Sequence, residues 1–261
     1  MEERMITVGI DVGSITTEAL VYESQRGILG YSILLTGGSS YEAASLALEK
    51  ALIFSGIKRD GVKRIVATGA GRGIVDFAHK KVTEITCLAR GVHHLFPEAR
   101  TVIDIGGQDT KVIRINEKGQ VVEFEMNDKC AAGTGRFLEV MARALGVELD
   151  KMGEISLRAK KDLSISSICT VFAESEVVSL VSQGEQVEEI LRAVHKAIAK
   201  RTVGLLERIG GPKPQVVMTG GVAKNIGVVR ALEEEVKIPL TVYFEPQIVC
   251  ALGAAIFAQE A

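Results

Sequence analysis

Two short segments of this chain contain the residue types that bind phosphate and magnesium. Residues 8–17 read Val-Gly-Ile-Asp-Val-Gly-Ser-Ile-Thr-Thr, and residues 102–110 read Val-Ile-Asp-Ile-Gly-Gly-Gln-Asp-Thr. Glycine lets backbone amides approach a phosphate closely, whereas a carboxylate repels phosphate and can instead hold hydrated Mg²⁺. We therefore predict that Asp11 and Asp104 hold Mg²⁺ through water, next to the phosphates of a nucleotide. An Asp-x-Gly sequence is also a common hairpin turn, but two copies at matched spacing favour phosphate binding.

The neighbouring side chains indicate how a triphosphate would be held and hydrolysed. Gln108 is a neutral donor and acceptor, so we predict that it orients the attacking water. With Asp11 and Asp104 it forms the predicted catalytic set. Asp109 is a further acidic residue for a hydrated Mg²⁺. The predicted ATP-binding residues are Gly13, Ser14, Ile15, Thr16, Thr17, Gly106, Gly107, Asp109, Gly133, Thr134, Gly220, Gly221, Val222, Asn225 and Gln247.

A third segment, Met218–Asn225, reads as a strand, a Gly-Gly turn and the start of a helix. Such a turn offers a flat backbone edge to an adenine ring and its ribose, although Gly-Gly alone often only reverses a chain. The order of phosphate turn, phosphate turn and adenosine turn resembles the actin, Hsp70 and sugar-kinase superfamily over nearly the whole chain. The resemblance implies an α/β fold with two actin-like, ribonuclease H-like lobes, in which mixed sheets are flanked by helices and ATP binds in the cleft between the lobes.

The four cysteines, at positions 87, 130, 169 and 250, fall into two classes. Cys87 and Cys250 lie in apolar helical patterns and are predicted to be buried. Cys130 and Cys169 lie among small and polar residues just ahead of predicted helices, where a helix N-terminus favours the thiolate. Their residue types alone leave a redox pair, a zinc site and an iron–sulfur cluster open. Two thiolates do not complete a four-iron cluster, but a two-fold dimer would supply four.

The sequences around these two cysteines carry a more specific resemblance. Asp-Lys-Cys-Ala-Ala-Gly-Thr-Gly-Arg-Phe begins at Asp128, and Cys-Thr-Val-Phe-Ala-Glu-Ser-Glu begins at Cys169. With Asp-Ile-Gly-Gly-Gln-Asp from Asp104, they resemble the activators of 2-hydroxyacyl-CoA dehydratases, whose family also contains the ATPase subunits of benzoyl-CoA reductases. The resemblance implies a homodimer that binds ATP, ADP and Mg²⁺ and shares one [4Fe-4S] cluster through Cys130 and Cys169.

The same resemblance implies what the ATP is used for. Its hydrolysis would drive a low-potential electron from the cluster into a partner iron–sulfur dehydratase or reductase, with a ferredoxin or flavodoxin as the electron donor. Two other functions use the same nucleotide turns. One is a sugar-type kinase, which needs an acidic base such as Glu174. The other is a non-enzymatic ATP switch of the actin-filament or chaperone type.

The elements that must position these residues follow from the hydrophobic pattern. Strand-like and helix-like segments alternate, which predicts α/β lobes with mixed sheets. We predict helices over residues 41–55, 83–95, 132–145, 171–183, 187–209, 225–236 and 248–258, and strands over 18–22, 64–68, 111–115, 215–219 and 240–244. The first lobe is predicted to contain residues 1–99 and about 248–261, and the second residues 100–247.

Composition limits the partners and the location. The 261 residues carry a formal net charge of -2, and the isoelectric point is about 6.2, so no overall basic field points to nucleic acid. No run approaches the roughly 18 apolar residues that a membrane span needs. We see no signal peptide, and four cysteines suit a reducing compartment. We therefore expect a cytoplasmic protein with no nucleic-acid or membrane partner.

Overall fold

The computed structural model describes residues 5–165 and 169–260, which form two compact units. The first unit contains Met1–Ala99, Ile115–Val122 and Gln247–Ala261, and the second contains Arg100–Arg114 and Glu123–Pro246. The segment Ile115–Val122 lies within the predicted second lobe but belongs to the first unit. The lobe boundaries given above stay a prediction. Across the described ranges, no helix is both long and apolar enough to span a membrane.

The first unit is built on a five-stranded mixed sheet with the order β3-β2-β1-β4-β5. Its strands are β1 (Ile6–Val12), β2 (Thr16–Glu23), β3 (Gly27–Leu35), β4 (Arg64–Thr68) and β5 (Lys80–Lys81), and its first two helices are α1 (Ser40–Ser55) and α2 (Glu84–Leu95). Strands β1 to β3 pair in antiparallel fashion, whereas β4 lies parallel to β1 and β5 parallel to β4. The β1–β2 hairpin therefore opens the sheet, and its turn carries Gly13 and Ser14.

The second sheet has the same arrangement, with the order β10-β9-β6-β7-β8. Its strands are β6 (Thr101–Ile105), β7 (Thr110–Ile115), β8 (Val121–Asn127), β9 (Val216–Thr219) and β10 (Leu240–Val242). The helices of this part of the chain are α3 (Gly135–Leu145), α4 (Met152–Ser156), α5 (Thr170–Ser182), α6 (Val187–Arg208) and α7 (Ile226–Val236). Strand β6 is antiparallel to β7 and parallel to β9, as β1 is to β2 and β4. The two sheets therefore share one topology, which agrees with the predicted fold of two actin-like lobes with mixed sheets.

Alternation along β1 determines which helix covers each face of the first sheet. Val8, Ile10 and Val12 join a buried cluster with Ala44, Ala47, Leu48, Ala51 and Leu52 of α1. The opposite face packs against the last helix, α8 (Val249–Glu260), where the Thr7 hydroxyl donates to the Ala255 carbonyl at 2.8 Å. Successive strand residues point to opposite faces, so Asp11 lies on the α8 side of this sheet.

The predicted elements are confirmed along most of the chain, with two kinds of difference. The helix predicted from residue 132 begins at Gly135, because residues 131–134 form a turn in which Gly133 has a φ of +94°. Strands β3, β5 and β8 and the short helix α4 were not predicted. All three strands lie at the edges of their sheets and are partly buried or exposed, so burial does not impose on them the pattern of a central strand.

Candidate nucleotide site and cysteine pair

The two predicted phosphate turns have the same backbone construction. The Gly13 amide donates to the Thr16 carbonyl at 2.9 Å, and the Gly106 amide donates to the Asp109 carbonyl at 2.9 Å. Each turn closes an antiparallel hairpin directly after its aspartate, and the two aspartates lie opposite Glu18 and Lys111 respectively. The sequence therefore identified both turns correctly as structural units, and their phosphate binding stays a prediction.

A glycine turn covers each aspartate at the end of the neighbouring parallel strand. Asp11 is paired with Thr68 and Asp104 with Thr219, and the next residues, Gly69 and Gly220, have φ values of +84° and +83°. A Cβ on Gly69 would lie 2.3 Å from Asp11 Oδ1, and a Cβ on Gly220 would lie 2.4 Å from the Ile105 carbonyl oxygen. Only glycine suits this conformation at this distance. The predicted adenosine turn thus has a structural counterpart in the first unit, after β4.

Asp104 lies in a buried cluster of charged and polar side chains in the second unit. The Thr219 hydroxyl donates to Asp104 Oδ1 at 2.8 Å, and Lys111 Nζ lies 3.4 Å from Asp104 Oδ2. The same Lys111 Nζ is 2.8 Å from Asp109 Oδ1. Lys111 is 1% exposed and Asp104 5% exposed, so the ion pair is shielded from water. Sequence reasoning missed Lys111, although a lysine inside the apolar strand Thr-Lys-Val-Ile-Arg-Ile is a signal for a buried partner.

The first turn is supported by threonines rather than by a lysine. The Thr36 hydroxyl donates to the Gly13 carbonyl at 2.9 Å and lies 2.8 Å from the Thr17 hydroxyl, which therefore donates to it. Thr17 is fully buried, so its hydroxyl stabilises the turn from within the core. Ser14 is exposed, and Gln247 Nε2 donates to the Thr16 hydroxyl at 3.3 Å. The structure thus places Gln247 beside Thr16, although the two residues are 231 positions apart in the sequence.

The predicted adenosine-turn residue Asn225 holds the start of α7. Its Oδ1 accepts from the Gly227 and Val228 amides at 3.0 and 3.2 Å, and its Nδ2 lies 3.2 Å from His195 Nε2. His195 Nδ1 lies 3.0 Å from the Ser156 hydroxyl, which itself donates to the Gly153 carbonyl. The imidazole therefore donates through Nδ1 and accepts through Nε2. Burial lowers the pKa of His195 to about 3, so the imidazole is neutral at physiological pH.

Cys130 and Cys169 are both half-buried, and both precede helices of the second unit. Cys169 is the N-cap residue of α5, whereas Cys130 lies five residues before α3 begins, because the helix predicted from residue 132 starts three residues later. Helices α3 and α5 pack against each other. Cys87 and Cys250 are buried, as predicted, and burial raises the pKa of the Cys87 thiol to about 12. Among the residues that the structure describes, none of the four cysteines forms a disulfide.

The loop after Cys130 is bonded directly to the second phosphate turn. The Gly135 amide donates to the Gly106 carbonyl at 2.9 Å, and the Arg136 amide donates to the Gly107 carbonyl at 2.8 Å. In addition, the buried Thr110 hydroxyl donates to the Gly133 carbonyl at 3.0 Å. The predicted ATP-binding residues Gly133 and Thr134 therefore lie in a loop that is hydrogen-bonded to the second phosphate turn, although 23 residues separate Gly133 from Thr110.

Helix α5 is unusually apolar on its exposed side. Only Ala173 and Val177 of its 13 residues are buried. Its exposed apolar residues are Val171, Phe172, Val178 and Val181, at 65%, 65%, 53% and 47% exposure. Glu174, the alternative kinase base, is also exposed on this helix, one turn after Cys169. A helix with apolar residues on all sides normally lies inside a larger assembly.

Comparison with known proteins gives matches along nearly the whole chain. The sequence profile of the BadF/BadG/BcrA/BcrD ATPase family matches residues 8–258. The activator of lactoyl-CoA dehydratase from Anaerotignum propionicum is 49% identical over 257 residues, which cover 98% of both proteins. These matches confirm the resemblance that the cysteine and aspartate motifs indicated.

Solved structures agree with the sequence matches. Component A of the (R)-2-hydroxyglutaryl-CoA dehydratase from Acidaminococcus fermentans has a TM-score of 0.94 at 40% identity, with 98% of each chain covered. The activator of the 2-hydroxyisocaproyl-CoA dehydratase from Clostridium difficile, solved with bound ADPNP, has a TM-score of 0.93 at 43% identity. That match covers 98% of this chain and 95% of the other. The predicted fold, with two mixed sheets flanked by helices, is confirmed.

Proposed function

The chain belongs to the BadF/BadG/BcrA/BcrD ATPase family, and from that premise we propose that it is an ATP-hydrolysing electron-transfer activator. As a homodimer it holds one [4Fe-4S] cluster and delivers a low-potential electron to a partner iron–sulfur enzyme, such as a 2-hydroxyacyl-CoA dehydratase. The observation that carries the proposal is the placement of Cys130 and Cys169. Both are half-buried and lie ahead of two helices that pack together, in the unit that also contains Asp104.

The cysteines present fit a cluster that two chains share. A four-iron cluster is held by four thiolates, and each chain offers two half-buried cysteines in the second unit. The other two are buried in the first unit, where the raised pKa of Cys87 disfavours the thiolate. Two-fold symmetry supplies the same pair twice. The exposed apolar residues of α5 follow Cys169 directly, so dimerisation at the cluster would also cover them.

A bound cluster would supply a one-electron donor at low potential, and the residues around the nucleotide would control its use. We assign Asp11 and Asp104 to hold Mg²⁺ through water. The phosphate oxygens are assigned to the other backbone amides of the two turns, because the Gly13 and Gly106 amides themselves donate to carbonyls within the turns. Both carboxylates are buried, and each belongs to the residue two positions before the glycine that opens its turn. Nucleotide binding at the second phosphate turn would then change the environment of the Cys130 loop. A ferredoxin or flavodoxin is the proposed electron donor.

The proposal is tested on protein purified without oxygen. We expect a brown homodimer with about four iron and four sulfide per dimer, and ATP hydrolysis that accompanies electron delivery to an iron–sulfur dehydratase or reductase. Iron and sulfide assays, sedimentation and the visible spectrum measure these properties. A colourless, air-stable protein that phosphorylates a sugar would instead support the kinase function, with Glu174 as its base.

Replacement of Gln108 tests the hydrolytic half of the proposal. Gln108 is exposed on the second phosphate turn, where its amide can orient water without a charge that repels phosphate. We expect Gln108→Ala to lower ATP turnover by about 100-fold, which is the effect of misplacing a reacting group by 1 Å, while the Kd for ATP stays within about threefold. Steady-state phosphate release and equilibrium nucleotide binding measure the two quantities.

The matched control for this variant is Gln120→Ala. Gln120 is also exposed, but its side chain contacts Asn116 in the turn between β7 and β8. Its replacement should leave ATP turnover unchanged. If Gln108→Ala hydrolyses ATP at the rate of the control, Gln108 does not orient the water.

A further inference from the structure

We propose that Thr110 couples the second phosphate turn to the Cys130 loop and so transmits the nucleotide state to the cluster cysteine. This inference rests on the function proposed above. It names the residue that would connect nucleotide binding to the cluster. The three hydrogen bonds from Thr110 Oγ1, Gly135 N and Arg136 N to the carbonyls of Gly133, Gly106 and Gly107 are here called the latch.

The phosphate end of the latch is a single short turn. Gly106 and Gly107 follow Asp104 almost directly, and Thr110 is the first residue of β7 after Asp109. The Gly106 amide donates to the Asp109 carbonyl, so the two sides of the turn move together. When a phosphate binds the amides of this turn, the carbonyls of the same peptide groups change position with it. The Gly106 and Gly107 carbonyls of this turn accept two of the three hydrogen bonds of the latch, and the third runs from the Thr110 hydroxyl to the Gly133 carbonyl.

The cysteine end of the latch is held together by its own hydrogen bonds. The Thr134 amide and hydroxyl both donate to the Ala131 carbonyl, at 3.1 and 2.7 Å. Asn127 Nδ2 donates to the Cys130 carbonyl at 2.8 Å. Gly133 itself packs against Arg201, because a Cβ at Gly133 would lie 2.8 Å from Arg201 Cδ. Residues 130–134 therefore behave as one piece, and a displacement at Gly133 reaches Cys130 three residues away.

Thr110 is the side chain of the latch that mutagenesis can remove. It is 3% exposed, and its hydroxyl is the donor to the Gly133 carbonyl, so it acts as a positioning residue for Cys130. The other two hydrogen bonds use backbone amides and remain in any variant at this position. Valine has nearly the shape of threonine but no hydroxyl, whereas serine keeps the hydroxyl.

The experiment compares wild type, Thr110→Val and Thr110→Ser as dimers loaded with the cluster. The rate at which a chelator removes iron is measured with Mg-ADP and with a non-hydrolysable ATP analogue, and ATP turnover is measured in parallel. We expect the ratio of the two chelation rates to fall by about fivefold in Thr110→Val, which is the change in an equilibrium when one hydrogen bond is lost. Thr110→Ser should keep the wild-type ratio, and ATP turnover should stay within about twofold in both variants.

Each result decides between the latch and the wider function. A wild-type ratio in Thr110→Val overturns the latch and leaves the proposed electron transfer intact. The latch is also overturned if the ratio of chelation rates falls as much in Thr110→Ser as in Thr110→Val. The hydroxyl, which serine keeps, would then not be the coupling group. Equal chelation rates with the two nucleotides in the wild type overturn the proposed nucleotide control itself. If Thr110→Val does not fold, Thr110→Ala removes the same hydroxyl without adding volume.

Discussion

Replacing either Cys130 or Cys169 by serine is expected to reduce the bound iron from about four atoms per dimer to nearly none. Each substitution removes two of the four proposed thiolates, because the dimer contains every residue twice. The nucleotide-binding turns should be unaffected, since neither cysteine side chain belongs to the hairpins that contain Asp11 and Asp104. Iron and sulfide assays after anaerobic purification measure the effect, and circular dichroism measures the fold.

The control for these variants is Cys250→Ser. The Cys250 thiol is buried in α8 and lies 3.8 Å from the Glu84 carbonyl, which a serine hydroxyl would also find as an acceptor. This variant should keep its full iron content. If Cys130→Ser and Cys169→Ser both retain as much iron as Cys250→Ser, the cluster assignment is wrong, and the zinc and redox alternatives for these cysteines reopen.

Lys111→Met is expected to lower the free energy of unfolding by about 3 kcal/mol, the lower end of the range for breaking a buried ion pair. The lower end applies because the Asp109 side chain is 27% exposed and partly solvated, whereas the Asp104 side chain is only 7% exposed. Without the Lys111 ammonium, both carboxylates lose their shared counter-ion in the described structure. Denaturant unfolding in the absence of nucleotide and Mg²⁺ measures the loss.

Two further variants distinguish the effect of breaking the ion pair from the general effect of replacing a lysine by methionine. Lys118→Met removes an exposed lysine from the turn between β7 and β8, and its effect should stay within about 0.5 kcal/mol. Adding Asp104→Asn to Lys111→Met removes the buried carboxylate charge that has lost its counter-ion and should restore part of the stability. A Lys111→Met protein as stable as Lys118→Met would show that the buried lysine is not a counter-ion.

Much of the fold is predictable because its determinants are local. The strand Arg64–Thr68 and the helix over Val187–Arg208 are found within one residue of their predicted ends, since long apolar repeats identify buried elements. The edge strand β8 and the start of α3 were not predicted correctly. An edge strand is specified by its pairing with a neighbour, and the turn before α3 depends on a left-handed Gly133 that is hydrogen-bonded by Thr110.

The candidate site also combines features that the sequence predicts with contacts that only the tertiary structure shows. The sequence alone determined the two Asp-Gly hairpins and the Gly-Gly turn after β9, and it singled out Cys130 and Cys169 as candidate ligands, because turn chemistry and motif order lie within short stretches of chain. Only the tertiary structure decided the partners of these residues. Thr219 reaches Asp104 across 115 residues, and Lys111 faces the same carboxylate through strand register. Such contacts form only when distant strands and loops pack together, because packing decides which buried donor lies next to which acceptor.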